Sequence, residues 1–191
     1  MRQFKEDRQK LKELILYISQ ECASDPNYGS THLYKTLFFA DFLAYAKFGN
    51  PITGAEYRRE EHGPVGRTVR RVRQEMVSAG ELDEKETPVP NVPKKMTRKT
   101  PVARRQPNLS IFSEAEIELV NQVIKTFRGW LAGTVSKYTH ELPQWHTVPL
   151  HETIPYELVF VAQDQRFTEA EIEHGLELAR RHGWSLSKDG R

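Results

Sequence analysis

A mainly α-helical domain with a small antiparallel β element, α+β in the broad sense, is the fold class the sequence predicts. Three observations predict it. Apolar residues recur at i, i+3, i+4 spacing in several separate stretches, as on the buried faces of helices. One of these, YKTLFFADFLAYAKF from Tyr34, is apolar all round and is expected to be buried on most sides. Two turn-rich segments, 50–64 and 81–108, break the helical period and carry short extended patterns instead.

The first helix is expected over Gln3–Cys22, with Phe4, Leu11, Leu14, Ile15, Ile18 and Cys22 inward and Lys and Glu outward. Asp25-Pro26-Asn27-Tyr28-Gly29 is a turn. Ser30 or Thr31 can cap the buried second helix, and Gly49 stands where a left-handed C-terminal residue is wanted. Asp41 is a lone acid inside that apolar run. An unpaired carboxylate there would cost several kcal/mol, so Asp41 is expected to be tied to the His62-Gly63-Pro64 turn or to His140. Asn50-Pro51 and Thr53-Gly54 make turns, and Ala55–Glu60 reads as a short strand around Tyr57. His62-Gly63-Pro64 ends that strand and opens a third helix, Pro64 suiting a first helical turn. Val65, Val69, Val72 and Met76 are its core stripe and Gly80 its stop.

Between Glu81 and Asn108 acids come first (Glu81, Asp83, Glu84, Glu86) and bases after (Lys94, Lys95, Arg98, Lys99, Arg104, Arg105), among five prolines. Residues 82–89 and 96–103 can pair as a hairpin with an acidic and a basic arm; a disordered loop fits the same composition. Ser113 with Glu116 is a capping box opening a helix that stops at Gly129. A shorter helix follows over Ala132–Glu141. Pro143–Ile154 reads as an extended connection anchored by Trp145, and Pro155–Phe160 as a strand or helical turn. Thr168 with Glu171 caps a last helix ending at Gly183.

At 191 residues, one compact domain with an appended element is expected. A 38% hydrophobic content can build a core, and 28% charged residues with a mean hydropathy of −0.65 indicate a wet surface. No apolar run approaches the roughly 18–20 residues that span a bilayer, and MRQFKEDRQK lacks the apolar centre of a secretory signal. With one cysteine, Cys22, no internal disulfide can form, and a reducing cytoplasm is the expected compartment. A net charge of +2 is too small to imply nucleic acid; its distribution matters more.

Candidate chemistry is sparse. His140, His146 and His151 lie close in sequence, but across a proline-containing loop their directions are uncorrelated, unlike the tight spacings of metal sites. No nucleophile elbow, phosphate loop, dinucleotide loop or CxxC occurs. An Asp41–histidine pair could mimic an acid–base couple, yet a hydrogen-bonded buried carboxylate is the commoner case. The expectation is a non-enzymatic binding domain with no cofactor and no metal. Arg67, Arg70, Arg71 and Arg73 on one helix, followed by a basic arm with Lys94, Lys95, Arg98 and Lys99, form the one charged feature of note. It suits phosphates of a duplex, an acidic protein partner, or plain solvent.

Two blocks of residues resemble a known family. The first is Phe39-Ala40-Asp41, Gly49-Asn50-Pro51-Ile52-Thr53-Gly54, Tyr57 and His62-Gly63-Pro64; the second is Ser136-Lys137-Tyr138-Thr139-His140 with Pro143 and Trp145. In that order they resemble the Panacea antitoxin domain, the SocA-like, phage-associated (GepA-like) family of bacterial toxin–antitoxin modules. In the family pattern the Pro and Trp are adjacent; here Gln144 separates them. The resemblance covers roughly residues 5–158, leaving 159–191 as a C-terminal extension. It implies an antitoxin that binds and blocks a cognate toxin. It further implies that Asp41, Pro51, Thr53, Gly54, Tyr57, His62, Gly63, Pro64, Thr139, His140 and Trp145 are structural or partner-binding positions. A DNA-binding autorepressor, or an adaptor delivering a partner to a protease, are the alternatives.

Overall fold

A computed structural model describes residues 4–89 and 97–161. The expected helix from Thr168, and Lys94 and Lys95, lie outside the described residues. Among those described there are six α-helices, two short 3₁₀ turns and two separate two-stranded antiparallel hairpins.

The apolar helix α2 (Ser30–Phe48) is the axis of the domain. Leu33, Leu37, Phe38, Ala40, Phe42 and Ala44 are almost wholly buried on different sides of it, which is why its sequence shows no polar face. Helix α1 (Arg8–Glu21) packs on it through Leu11, Leu14, Ile15 and Ile18. It starts later than its apolar spacing suggests because Asp7 caps it, accepting from Lys10 N at 2.9 Å. Phe4 lies before that cap and meets Tyr45 and Tyr156 edge-on. At the start of α2 the cap is Gly29, with no side-chain cap bond. Neither Ser30 nor Thr31 fills that role: the Ser30 hydroxyl is diverted, donating to Lys99 O and accepting from Arg73. Gly49, at φ 73°, ends the helix as expected.

The segment after α2 departs from the sequence reading. Strand β1 (Tyr57–Glu60) turns back through Glu61-His62 into strand β2 (Gly63–Gly66), so Pro64 and Val65 belong to a hairpin and not to a helix. Gly63 has φ 101°, a backbone that glycine takes without penalty and that a helical first turn cannot use. Pro64 is tolerated in β2 because of register. Arg67 N bonds Glu56 O and alternation makes 58/65 and 60/63 the hydrogen-bonded pairs, so Pro64 sits opposite Arg59 where no ladder N–H is required. The outer edge of β1 is closed by residues 151–154, with Arg59 N bonded to Glu152 O and Ile154 N to Tyr57 O.

Helix α3 (Val69–Ser78) then buries Val69, Val72 and Met76. Strands β3 (Leu82–Pro88) and β4 (Thr97–Ala103) form the charged hairpin, with Glu86 facing Lys99 at 3.3 Å and Asp83 held by Arg104. Arg105 grips Glu13 of α1 with two bonds of 2.8 Å and also reaches Glu81, fastening the end of the hairpin to the core. The Ser113–Glu116 capping box opens α4 (Glu114–Phe127), whose Leu119, Val120, Val123, Ile124 and Phe127 complete the core beside α2. Helix α5 (Ala132–His140) follows. The stretch predicted as extended begins with a short helix, α6 (Pro143–Thr147), with proline at its start. A 3₁₀ turn over Tyr156–Phe160 ends the described chain.

Of the four arginines expected on one helix, Arg67 lies in the turn before α3, and Arg73, 3% exposed, points inward. Its guanidinium donates to Tyr34 OH, Ser30 Oγ and Glu84, tying α2, α3 and β3 together. Replacing it leaves those partly buried acceptors unpaired and the Glu84–Arg73 contact broken. Arg73→Ala is therefore expected to cost about 2–4 kcal/mol, read as a loss in denaturant midpoint, whereas Arg70→Ala on the exposed side should stay within about 0.5 kcal/mol.

Candidate functional site

The signature residues separate into two groups on either side of β1. The first surrounds Asp41, which is fully buried on α2. Its partners are not the His62-Gly63-Pro64 turn or His140. The carboxylate accepts from Thr53 N at 2.7 Å, from the Thr53 hydroxyl, and from Tyr57 OH at 2.8 Å. Local geometry explains the preference. The turn after α2 folds Thr53 back over the helix, and Gly54, at φ 66°, lets the chain pass Lys5, whose carbonyl oxygen would lie 2.8 Å from a Cβ there. Tyr57 then reaches inward between Phe38, Phe42 and Tyr156. Thr53 O also accepts from Asp7 N at 2.8 Å. Burial pushes the Asp41 carboxyl up to about 6, against the pull of the three donor groups.

The second group gathers around Gly63. Lys35, 2% exposed, runs from α2 to the β1–β2 hairpin and donates to Pro64 O at 3.0 Å. That is the one acceptor its ammonium has among the described residues. A Cβ on Gly63 would overlap Lys35 Nζ and lie 2.6 Å from Thr139 Oγ1, so this glycine is needed for the lysine to reach its acceptor. Thr139 is 1% exposed and bonds Ser136 O. His140 stacks on Trp145 with ring centres 4.1 Å apart, and the Arg59 guanidinium lies 4.7 Å from the Trp145 ring centre. Burial drives the Lys35 ammonium down to about 7. It also lowers His140, and Lys35, His62, Arg59 and His146 all act on that ring in the same direction. The two matching sequence blocks thus meet in a cluster of bases.

The basic set is less uniform than its sequence suggests. Arg70 is exposed, and Arg67 and Arg71 are largely so, but Arg67 lies 3.2 Å from Glu56 and Arg71 4.0 Å from Glu75. Lys99 is exposed and pairs with Glu86. Arg98 folds back so that its aliphatic stem covers Gly29. Its stem leaves no room for a side chain there. Among the described residues no three His, Cys, Asp or Glu side chains gather as a metal site, and His151 is occupied by Glu60 at 3.0 Å. Cys22 is buried, its thiol pushed up to about 12 by burial.

Comparison with known families bears on this arrangement directly. The family model described as antitoxin SocA-like, Panacea domain, matches residues 33–146, more than half of the chain. The chain belongs to the SocA-like Panacea antitoxin family. The matched range holds both groups, from Lys35 to Trp145, and both hairpins. Helix α1 and the turn at Tyr156 lie outside it, although they pack in the same compact unit of Met1–Val161. No curated protein and no solved structure matches significantly. Membership of this antitoxin family implies a toxin partner. Among the described residues no helix is long and apolar enough to cross a membrane.

Lys35 and Arg59 were missed by sequence reasoning. Lys35 had a signal: it is a base inside the same apolar run as Asp41, six positions before it, and a lone base there needs a partner as much as a lone acid does. Arg59 had none, since one arginine in an exposed-looking strand is unremarkable.

Two stability measurements follow from these burials. The Asp41 carboxyl takes its proton at about 6 when folded and 3.8 when unfolded. Between these values the folded state holds more protons, so stability falls as pH rises through that window. Asp41→Asn should abolish that slope in chemical denaturation while keeping most bonds, because both hydroxyls can turn to accept from the amide. Asp41→Ala should cost about 1–3 kcal/mol at neutral pH. Lys35 runs the other way: it is depressed to about 7 from 10.5, so the unfolded chain holds more protons and stability rises with pH across that range. Lys35→Met should remove the rise and leave the protein more stable at pH 7.

Proposed function

We propose that this protein is the antitoxin of a bacterial or phage toxin–antitoxin module and neutralises its toxin by binding it directly. The observation that carries the reading is the family match over 33–146, with both signature groups and the hairpins inside it. A further observation supports docking at the β3–β4 hairpin and the neighbouring arginine face of α3. The two edges of that hairpin differ. Along β4, Lys99 O is taken by Ser30 and Pro101 has no N–H to offer. Along β3, Arg104 N bonds Glu81 O, so Glu84 and Glu86 fall at outward-facing positions, and their backbone groups have no partner among the described residues. An open strand edge is a template for strand addition. Arg70 and Arg71 of the adjacent helix add charge for recognition. The interleaving of Arg67 with Glu56 and of Arg71 with Glu75 favours a protein partner with both charges over the unbroken phosphate row of a duplex.

Deleting the hairpin would be a poor test, since Glu84 holds Arg73 and Arg105 holds Glu13. Glu86→Pro is cleaner: it removes an outward N–H while sparing the ladder bonds to β4. Co-expressed with the product of the neighbouring reading frame, the wild-type chain is expected to rescue growth and to copurify with that product. Glu86→Pro, and Arg70→Glu with Arg71→Glu, should melt within a few degrees of wild type and lose rescue. Full rescue by these folded variants would move the docking surface elsewhere, and wild-type failure to bind the neighbouring product would overturn the antitoxin reading.

A further inference from the structure

The group around Gly63 is graded in burial: Lys35, Thr139 and Trp145 are buried, Arg59 and His140 are half-buried, and His62 and His146 are exposed. Five of these side chains are bases. None of the five is in an ion pair among the described residues, whereas seven of the other ten described arginines pair with a carboxylate. Glu61 and Glu141, beside His62 and His140 in sequence, form no ion pair either, and Glu60 is engaged by His151.

Donor capacity is left over in the same place. Lys35 has three N–H bonds and one acceptor, Pro64 O. Arg59 spends Nη1 on Val148 O at 2.6 Å, and its Nε has no partner. His140 Nε2 is likewise buried and unpaired. Buried donors are nearly always satisfied in a finished structure, and a guanidinium beside a buried amine, with no counter-ion, raises the energy of the site whenever that amine is protonated. Both costs are removed by one kind of ligand: a compact anion with several acceptor lone pairs.

We propose that this basic cluster is a receptor for a carboxylate, the side chain of an acidic residue on the bound toxin, which pairs with Arg59, His140 and Lys35. The proposal rests on the antitoxin reading for the source of the carboxylate, but not for the existence of the site. It also differs in place from the β3 edge, so the two contacts can be separated.

The test uses the full chain and sodium acetate as probe, with sodium chloride and sodium phosphate at equal ionic strength as comparisons. The ring signals of His140 and His62 are followed by NMR at constant pH. Acetate is expected to shift His140 saturably and to raise the pH at which it titrates, and Arg59→Gln should weaken that binding about tenfold. No saturable shift beyond that of chloride would overturn the site. Phosphate binding as tightly as acetate would overturn carboxylate selectivity and point to a phosphate ligand. In the co-expression assay, His140→Gln with Arg59→Gln should lose rescue while melting like wild type. These two are preferred to Lys35→Met, which alters the core. Rescue by that folded pair, with acetate binding intact in wild type, would overturn the toxin as the source. If the wild type itself fails to rescue, the antitoxin reading falls and the acetate titration still decides the site.

Discussion

A single carboxylate sets the path of the chain after its central helix. Asp41 lies where no water reaches, and an ion there is tolerated only when donors surround it. Thr53 supplies a backbone N–H and a hydroxyl, and Tyr57 a phenol. Those three bonds hold the turn against the helix and aim β1 across it. Everything on the far side of β1 inherits that placement: β2 in its register, the 151–154 segment on the outer edge, and the Pro64 carbonyl that receives Lys35.

The same helix carries an acid and a base, and the domain treats them differently. Asp41 has its lone pairs filled by groups that are themselves fixed, Thr53 by Asp7 N and Tyr57 by aromatic packing. Lys35 has one carbonyl and a ring of other bases. The first is what a fold does with a polar group it needs for its own architecture. The second is what a fold tolerates when stability is spent on something other than itself. The two matching sequence blocks converge on the second group.

Much of the architecture was legible in the residues. The capping box at Ser113, the left-handed Gly49, the all-round apolar α2 and the acidic and basic arms of the hairpin each state their structure locally. The failures share a cause: they turn on register or on long-range partners, which local pattern does not encode. Pro64 reads equally well as a first helical residue or as a strand residue at a position without ladder bonds, and only pairing with Arg59 decides. Arg73 looks like its exposed neighbours until Glu84 and Tyr34 arrive from other elements. Asp41 announced that it needed partners but could not name Thr53, twelve residues on, over histidines farther away. The family itself came from the resemblance, which the match over 33–146 bears out.

Helix α1 stands outside that matched range, yet Leu11, Leu14, Ile15 and Ile18 have no exposed surface, and Glu13 holds Arg105. The unit that can be recognised and the unit that can fold are therefore not the same. A fragment trimmed to the recognisable residues would present an apolar trough about 20 Å long, with a guanidinium and the Thr53 carbonyl stripped of their partners. Anyone exchanging this scaffold between antitoxins, or shortening it for expression, would have to carry the first helix along. It contributes nothing to recognition by sequence and a whole wall to the core.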